Sequence, residues 1–140
     1  MTQTTTTLDA TATTGKDLPP ITLSGTDFER LSRLAELAAD KAPATADFLA
    51  REVARASIAP AGAPLRGIVT MGSQVEFRDD VTGQVRIVTL VYPEEADIAA
   101  GKVSVLTPIG AALIGLSAGQ SIEWQTPGGG WRSLTVLRAG

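Results

Sequence analysis

Carboxylates are the main reactive side chains of this sequence, because none of its 140 residues is a histidine or a cysteine. Without those two residue types the chain has no Ser-His-Asp triad, no thiol nucleophile, no disulfide and no thiolate or imidazole metal ligand. A metal site would have to use oxygen ligands, which suit magnesium, calcium or manganese. The groups that could do chemistry are therefore two sets of acidic residues and one run of glycines.

The acidic residues favour structural over catalytic roles. The loop 94–97 contains three carboxylates, but it lacks the regular oxygen offsets, glycine bend and final glutamate of a calcium loop. Asp40 and Asp47 flank the predicted tip of a helical hairpin and could together hold magnesium in the active centre of another protein. Lys41 lies between them, however, and Asp47 can instead cap a helix. We therefore predict no catalytic residue, no metal site and no cofactor.

The glycine run 128–130 favours a hairpin turn over a phosphate-binding loop. It lacks the lysine and the Ser/Thr of a P-loop, and it does not lead into a predicted helix. Trp124 and Trp131 lie near this turn. Two interpretations of these tryptophans stay open, an exposed anchor for a partner protein or a cover for the core.

Composition excludes several broad classes of function. The net charge of −3 and the pI of about 4.9 argue against general binding to nucleic acid or to an anionic membrane. No apolar run approaches the roughly 20 residues of a membrane span. The first residues have neither the basic nor the apolar region of a secretory signal. We expect a soluble cytoplasmic protein with no membrane partner and no direct sequence-specific contact to nucleic acid.

The N-terminal part divides into a tail and a helical hairpin. Residues 1–18 are rich in threonine and are predicted to be disordered. Residues 19–57 begin with a short extended lead-in and continue with two helices separated at Pro43. Ser24 or Thr26 is the expected cap of the first helix, with Thr26 and Glu29 as a capping box. For the second helix the expected cap is Thr45 or Asp47. The short connection predicts two antiparallel helices, a short coiled coil.

The C-terminal part has the pattern of an α+β layer. Residues 58–66, which contain two prolines and a glycine, are predicted to be a linker. Residues 67–140 then form an antiparallel sheet with one short helix. The expected strands are 75–78, 85–92, 103–106, 121–125 and 133–137, and the expected helix is 108–115.

The segment 107–116 has no charged residue over its whole length. A surface helix this apolar is unusual, so part of it must pack on the sheet. Two interpretations stay open for the rest, a purely internal helix or an exposed patch for docking to a partner.

These blocks resemble the Gre transcript-cleavage factors, whose C-terminal domain is FKBP-like. The matching segments, in the order of that family, are VYPEEAD at 91–97, GKVSV at 101–105, TPIGAALIG at 107–115 and TPGG at 126–129. The sequence is still more similar to the regulator of nucleoside diphosphate kinase (Rnk) family, a Gre relative with a short coiled-coil hairpin. The segments that resemble its signature are VTMGS at 69–73, VRIVTLVYP at 85–93 and PIGAALIGL at 108–116.

The resemblance implies a monomeric, non-enzymatic protein that docks on RNA polymerase at the rim of the secondary channel. The docking residues that it implies are Thr107, Pro108, Ile109, Gly110 and Leu113. In Gre factors the coiled coil points into the channel with two acidic residues near its tip, where this chain has Asp40, Lys41 and Asp47. The chain departs from the Gre pattern with apolar residues at Leu106, Ala111 and Leu116, which sorts it into the Rnk type.

Arm length then decides the expected mechanism. The longer arm of the hairpin would span roughly 24 Å and should stop short of the polymerase active centre. We therefore expect competition with other secondary-channel factors, without stimulation of RNA cleavage.

Three alternatives remain open at the level of the sequence. An FKBP-like domain could be a prolyl isomerase, although its aromatic candidates are few: Phe77, Tyr92, Trp124 and Trp131. The chain could be a true cleavage factor that acts through Asp40 and Asp47. It could also act directly on nucleoside diphosphate kinase, as the family name suggests.

Overall fold

Two antiparallel helices open the chain in the computed structural model, which describes residues 18–125 and 128–140. Helix α1 is Gly25–Ala38 and helix α2 is Pro43–Arg55, so the prediction of two N-terminal helices is confirmed. We call these helices and the four residues between them the hairpin. The tail predicted to be disordered lies outside the described residues, except for its last residue, Leu18.

The two helices start in different ways. Ser24 caps α1, since its side chain accepts a hydrogen bond of 3.0 Å from the Asp27 N–H. The expected capping box of Thr26 and Glu29 was wrong, because both residues already lie inside the helix. The expected cap of α2 by Thr45 or Asp47 was also wrong. Proline supplies the φ angle of a first helical residue and needs no N–H partner there, so α2 begins at Pro43 without a side-chain cap.

A two-residue parallel strand pair closes the base of the hairpin. Strand β1, Thr22–Leu23, precedes α1, and strand β2, Ser57–Ile58, follows α2. The predicted linker 58–66 therefore begins inside a strand. The Thr22 N–H also donates to the Gly115 carbonyl at 3.1 Å, which ties the hairpin base to the C-terminal part.

Five further strands form one sheet: β3 Gln74–Asp79, β4 Val85–Val91, β5 Lys102–Ser104, β6 Ser121–Gln125 and β7 Trp131–Ala139. Their order across the sheet is β5-β4-β3-β7-β6. Neighbouring strands are antiparallel except for β4 and β5, which are parallel. The prediction of a mixed α+β fold is confirmed, but the expected wholly antiparallel sheet was wrong at this edge. Residues 92–101 carry the chain back through two 3₁₀ turns, so that β5 runs alongside β4.

A single buried cluster joins the hairpin to the sheet. Helix α3, Pro108–Leu113, lies in this cluster and packs against α2. The sheet contributes the alternating residues of one face, such as Phe77 and Leu90, and the hairpin contributes Leu31 and Leu49. The hairpin is therefore packed on the C-terminal part as well as joined to it. Among the described residues no helix is long and apolar enough to cross a membrane.

Candidate functional site

A tight corner joins β5 to α3, and we define it as residues 107–109. The Thr107 hydroxyl accepts a hydrogen bond from the Gly110 N–H at 3.0 Å and donates one to the Ser104 carbonyl at 2.7 Å. The Ser104 hydroxyl accepts from the Leu106 N–H at 3.0 Å. These bonds fix the start of α3, and Pro108 occupies its first turn with an exposed ring. The corner is thus a rigid, uncharged projection.

The predicted docking residues separate into an outer and an inner group. Pro108 is exposed and Ile109 is partly buried, whereas Gly110 and Leu113 are buried. A Cβ atom at Gly110 would lie 2.1 Å from the Ser104 carbonyl oxygen, so only glycine allows this approach of helix and strand. Gly110 and Leu113 therefore form the interior support of the corner, while Pro108 and Ile109 present side-chain surface to solvent.

The lack of charge in the segment 107–116 follows from this burial. Residues 110–116 are buried, and α3 packs against α2 within the cluster that the hairpin shares with the sheet. Of the two open interpretations, the internal helix therefore applies to α3 beyond Ile109. Within this segment only the corner presents side-chain surface to solvent.

The hairpin tip places its candidate residues in solvent. Asp40 and Lys41 are exposed in the connection between the helices. The Asp47 carboxylate lies one turn inside α2 and pairs with Arg51, at 2.5 Å from Nη2 and 2.9 Å from Nε. Nearby Leu37 is 74% exposed. Within the described ranges no three acidic side chains come together in a way that could hold a metal ion.

The other candidates from the sequence lie at the surface. The acidic loop 94–97 is exposed and falls in the two 3₁₀ turns beside β5. In the glycine-rich turn, Thr126 and Pro127 lie outside the described residues. Gly129 has a φ of 93°, and its carbonyl accepts from the Gln125 side chain at 3.1 Å, both of which are typical of a turn. Trp131 is 41% exposed on the last strand.

Sequence reasoning missed a set of contacts between the hairpin and the C-terminal part. We call this set the seam. The Arg30 guanidinium lies over the Tyr92 ring, 4.4 Å from its centroid. The rings of Phe48 and Trp124 are 6.2 Å apart and tilted by 35°. The third contact is a hydrogen bond of 3.2 Å from the Met71 N–H to the Asp27 carboxylate. No local pattern could have found these pairs, because 44 or more residues separate the partners.

The seam contains two buried polar atoms that lack a hydrogen-bond partner in the part of the chain that the structure describes. Tyr92 Oη and Trp124 Nε1 are buried and have no hydrogen-bond partner among the described residues. Burial raises the pKa of Tyr92 above its ordinary value, and the nearby Asp27 carboxylate adds to the increase although Arg30 opposes it. Both atoms belong to side chains that the hairpin covers.

Comparison with known proteins first identifies the class of protein to which the fold belongs. The structure resembles the solved prokaryotic transcription elongation factor GreA/GreB from Nitrosomonas europaea, with a TM-score of 0.64 and 39% identity over 86% of this chain and 98% of that one. The family model "Transcription elongation factor, GreA/GreB, C-term" matches residues 64–139. Transcription elongation factor GreA from Syntrophobacter fumaroxidans is 45% identical over 71 residues, 51% of this chain and 45% of that protein. The C-terminal part is thus a GreA/GreB-type domain.

The N-terminal part identifies the particular family. Residues 19–58 match the family model "Rnk N-terminus". The "Regulator of nucleoside diphosphate kinase" of Escherichia coli K12 is 40% identical over 119 residues, which cover 85% of this chain and 88% of that protein. The chain belongs to the Rnk family, as its resemblance in sequence predicted. Its relatives are named as regulators or elongation factors and not as enzymes.

Proposed function

We propose that this protein is a transcription regulator that binds RNA polymerase at the rim of the secondary channel without stimulating transcript cleavage. The corner is the observation that carries the proposal. It belongs to the GreA/GreB-type domain and combines an exposed proline with a fixed backbone. A contact surface that is already ordered loses little entropy when it binds.

The interior of the domain supports this assignment of the corner. Gly110 and Leu113 pack α3 closely against β5 and the core, so Pro108 projects from a tightly packed support. Thr107 contributes through its two hydrogen bonds to the backbone. In this proposal Pro108 and the exposed part of Ile109 contact polymerase, and the other three residues position them. The protein acts as a monomer.

The finer description of the fold belongs to the same proposal. We take residues 67–140 as an FKBP-like domain, residues 58–66 as its connection, and residues 19–57 as a short coiled coil. The match of two separate family models, one to 19–58 and one to 64–139, supports this division.

The length of the hairpin supports a protein that occupies the secondary channel of RNA polymerase without stimulating transcript cleavage. Helix α1 has 14 residues, which corresponds to about 20 Å. Part of that length lies on the C-terminal domain, since Phe48 in α2 already contacts Trp124. Only the turn and a half of α2 from Pro43 to Phe48 extends further, about 8 Å. The free part of the hairpin is therefore shorter than the expected arm of roughly 24 Å.

The chemistry of the tip supports the same conclusion. A tip that supplied magnesium ligands would need free carboxylates directed to one point. Asp47 instead pairs with Arg51, and Lys41 lies next to Asp40 in the sequence. The negative charge at the tip is thus partly neutralised, which weakens the binding of a divalent cation there.

The packing of the aromatic residues weighs against prolyl isomerase activity. Phe77 is buried in the core, Tyr92 lies under Arg30, and Trp124 lies against Phe48. Three of the four aromatic candidates are therefore used to hold the fold, rather than to line an open pocket.

Direct binding to nucleoside diphosphate kinase is the second candidate function. The observation in its favour is that the 40% identical relative from Escherichia coli is named a regulator of this kinase. Co-sedimentation of this protein with the purified kinase, in the absence of polymerase, would support that candidate over ours.

The test of the main proposal is competition between this protein and a GreA factor for core RNA polymerase. We expect saturable binding that GreA displaces, and at least a tenfold weaker affinity for Pro108→Glu. Glutamate is well tolerated in the first turn of a helix, so this variant should keep its fold.

The matched control is Val81→Glu. Val81 is 61% exposed in the turn between β3 and β4, and its substitution adds the same charge at a different surface. Equal weakening by both variants, or binding that GreA leaves unchanged, would contradict the assignment of the corner.

A further inference from the structure

We infer that the seam is a clamp that sets the direction of the hairpin relative to the docking corner. This inference rests on the proposed function, because direction matters only if the corner docks. Its basis is the placement of the contacts on both helices. Asp27 and Arg30 belong to α1, whereas Phe48 belongs to α2.

Contacts on both helices restrict the rotation of the hairpin. Arg30 lies over Tyr92 at the end of β4, and Phe48 lies against Trp124 on β6. These strands are at different positions in the sheet order, with β3 and β7 between them. A hairpin that rolled toward one strand would have to lose its contact with the other. The base is a pair of two-residue strands, and the buried cluster holds the inner face of the hairpin on the C-terminal part. The seam adds contacts at the solvent-accessible margin of that packing on both helices.

The clamp is connected to the corner through the backbone. Tyr92 follows Val91, whose carbonyl accepts a hydrogen bond of 2.9 Å from the Val105 N–H. Val105 is two residues before the corner, and Ser104 holds Thr107 directly. Tyr92, which lies under Arg30, and the corner therefore follow the same end of one parallel strand pair, β4 and β5. A partner bound at the corner would meet the hairpin at an angle that these contacts fix.

Two buried polar groups destabilise the packed seam, so the contact of Arg30 with Tyr92 is needed to hold it. Among the described residues Tyr92 Oη and Trp124 Nε1 are buried without a hydrogen-bond partner, and each such group favours the open, hydrated state. The closed state must be held by other interactions. The stack of Arg30 on Tyr92 and the bond from Met71 to Asp27 are the polar interactions that do this on α1.

The clamp can be tested by distance measurements between spin labels. The chain contains no cysteine, so labels at Asp40→Cys on the tip and Arg86→Cys on β4 would be the only ones. Both positions are exposed. Pulsed electron paramagnetic resonance should give a narrow distance distribution for the otherwise unaltered chain. In the double variant Asp27→Ala, Arg30→Met we expect the distribution to be at least twice as wide.

The matched control is the double variant Glu29→Ala, Arg33→Met. It removes the same two charges from α1, but at exposed positions outside the seam. We expect its distance distribution to equal that of the parent. Should the clamp variant lose its fold, Arg30→Met alone, compared with Arg33→Met, gives the same test, because Arg30 is an exposed residue.

Two results would overturn the inference. One is a broad distribution in the parent, and the other is a clamp variant as narrow as its control. Neither depends on polymerase, so the inference and the proposed function can fail separately. Binding to polymerase through the corner should change less than threefold in the clamp variant, whereas a failure of the proposed function would abolish binding of the parent too.

Discussion

The two faces of the hairpin differ in how their side chains are used. On the face toward the core, Leu49 is fully buried, and the carboxylate of Glu52 is buried and paired with Arg55. On the solvent face, Leu37 is 74% exposed, and the pair of Asp47 and Arg51 is exposed. The same residue types thus stabilise the fold on one face and are available for contact on the other. The hairpin is held by its inner face, while its outer face carries little of the stability.

The largest difference should come from replacing leucine by alanine on each face of the hairpin. Leu49→Ala removes a buried side chain and leaves a cavity, which costs about 2–5 kcal/mol of the free energy of unfolding. Leu37→Ala changes an exposed position and should stay within about 0.5 kcal/mol. Urea denaturation followed by circular dichroism would measure both. Similar losses at the two positions would mean that the outer face is packed against something in solution.

The two ion pairs of α2 should also differ in how much they contribute to the free energy of unfolding. Arg55 binds Glu52 through Nη2 at 2.7 Å and Nε at 3.0 Å, and it also donates to the Pro19 carbonyl. Removal of the buried carboxylate in Glu52→Ala should cost about 1.5–3 kcal/mol. Asp47→Ala breaks an exposed pair and should cost less than about 0.5 kcal/mol. The same denaturation experiment checks both values, and added salt should reduce only the smaller one.

The seam should make the stability of the fold depend on pH in the alkaline range. The folded state raises the pKa of Tyr92, so the folded state holds its proton where the unfolded chain has lost it. The stability from this group is therefore complete below the unfolded value of about 10 and falls as the pH rises through the folded value. In Tyr92→Phe this fall should disappear. Melting temperatures between pH 8 and 11 would show it, and an unchanged slope in the variant would contradict the assignment.

The smallest expected effect is a gain in stability at Trp124. Its buried Nε1 has no partner among the described residues, so Trp124→Phe removes an unsatisfied donor and keeps an aromatic ring beside Phe48. We expect stability to be unchanged or higher by up to about 1 kcal/mol. Trp131→Phe, at a position that is 41% exposed, is the control and should have no effect. A loss of more than that amount in Trp124→Phe would show that the indole nitrogen is satisfied in solution.

Much of the fold could be predicted from local pattern. The spacing of Phe28, Leu31 and Leu34 predicts α1, and Pro43 marks the division between the helices. The strand predicted at 121–125 has the observed bounds, because its apolar and polar residues alternate. The strands β1 and β2 could not be predicted, since two residues are too few to show a period.

The candidate site was harder to predict for a physical reason. An uncharged helix can be internal or can form an exposed patch, and composition does not distinguish the two. The structure buries Leu113 and leaves Pro108 exposed, which divides the predicted docking set. The seam depends on pairs such as Arg30 with Tyr92, which only the folded chain brings together.

Transcript cleavage in a stalled elongation complex is the decisive measurement for the proposed function. We predict that the protein alone produces no cleavage above background. Added to a complex that contains a GreA factor, it should suppress the cleavage that GreA stimulates, increasingly with concentration, and Pro108→Glu should require at least ten times more protein. Cleavage by the protein alone that disappears in the double variant Asp40→Asn, Asp47→Asn would contradict the account, and so would a GreA reaction that the protein leaves unchanged.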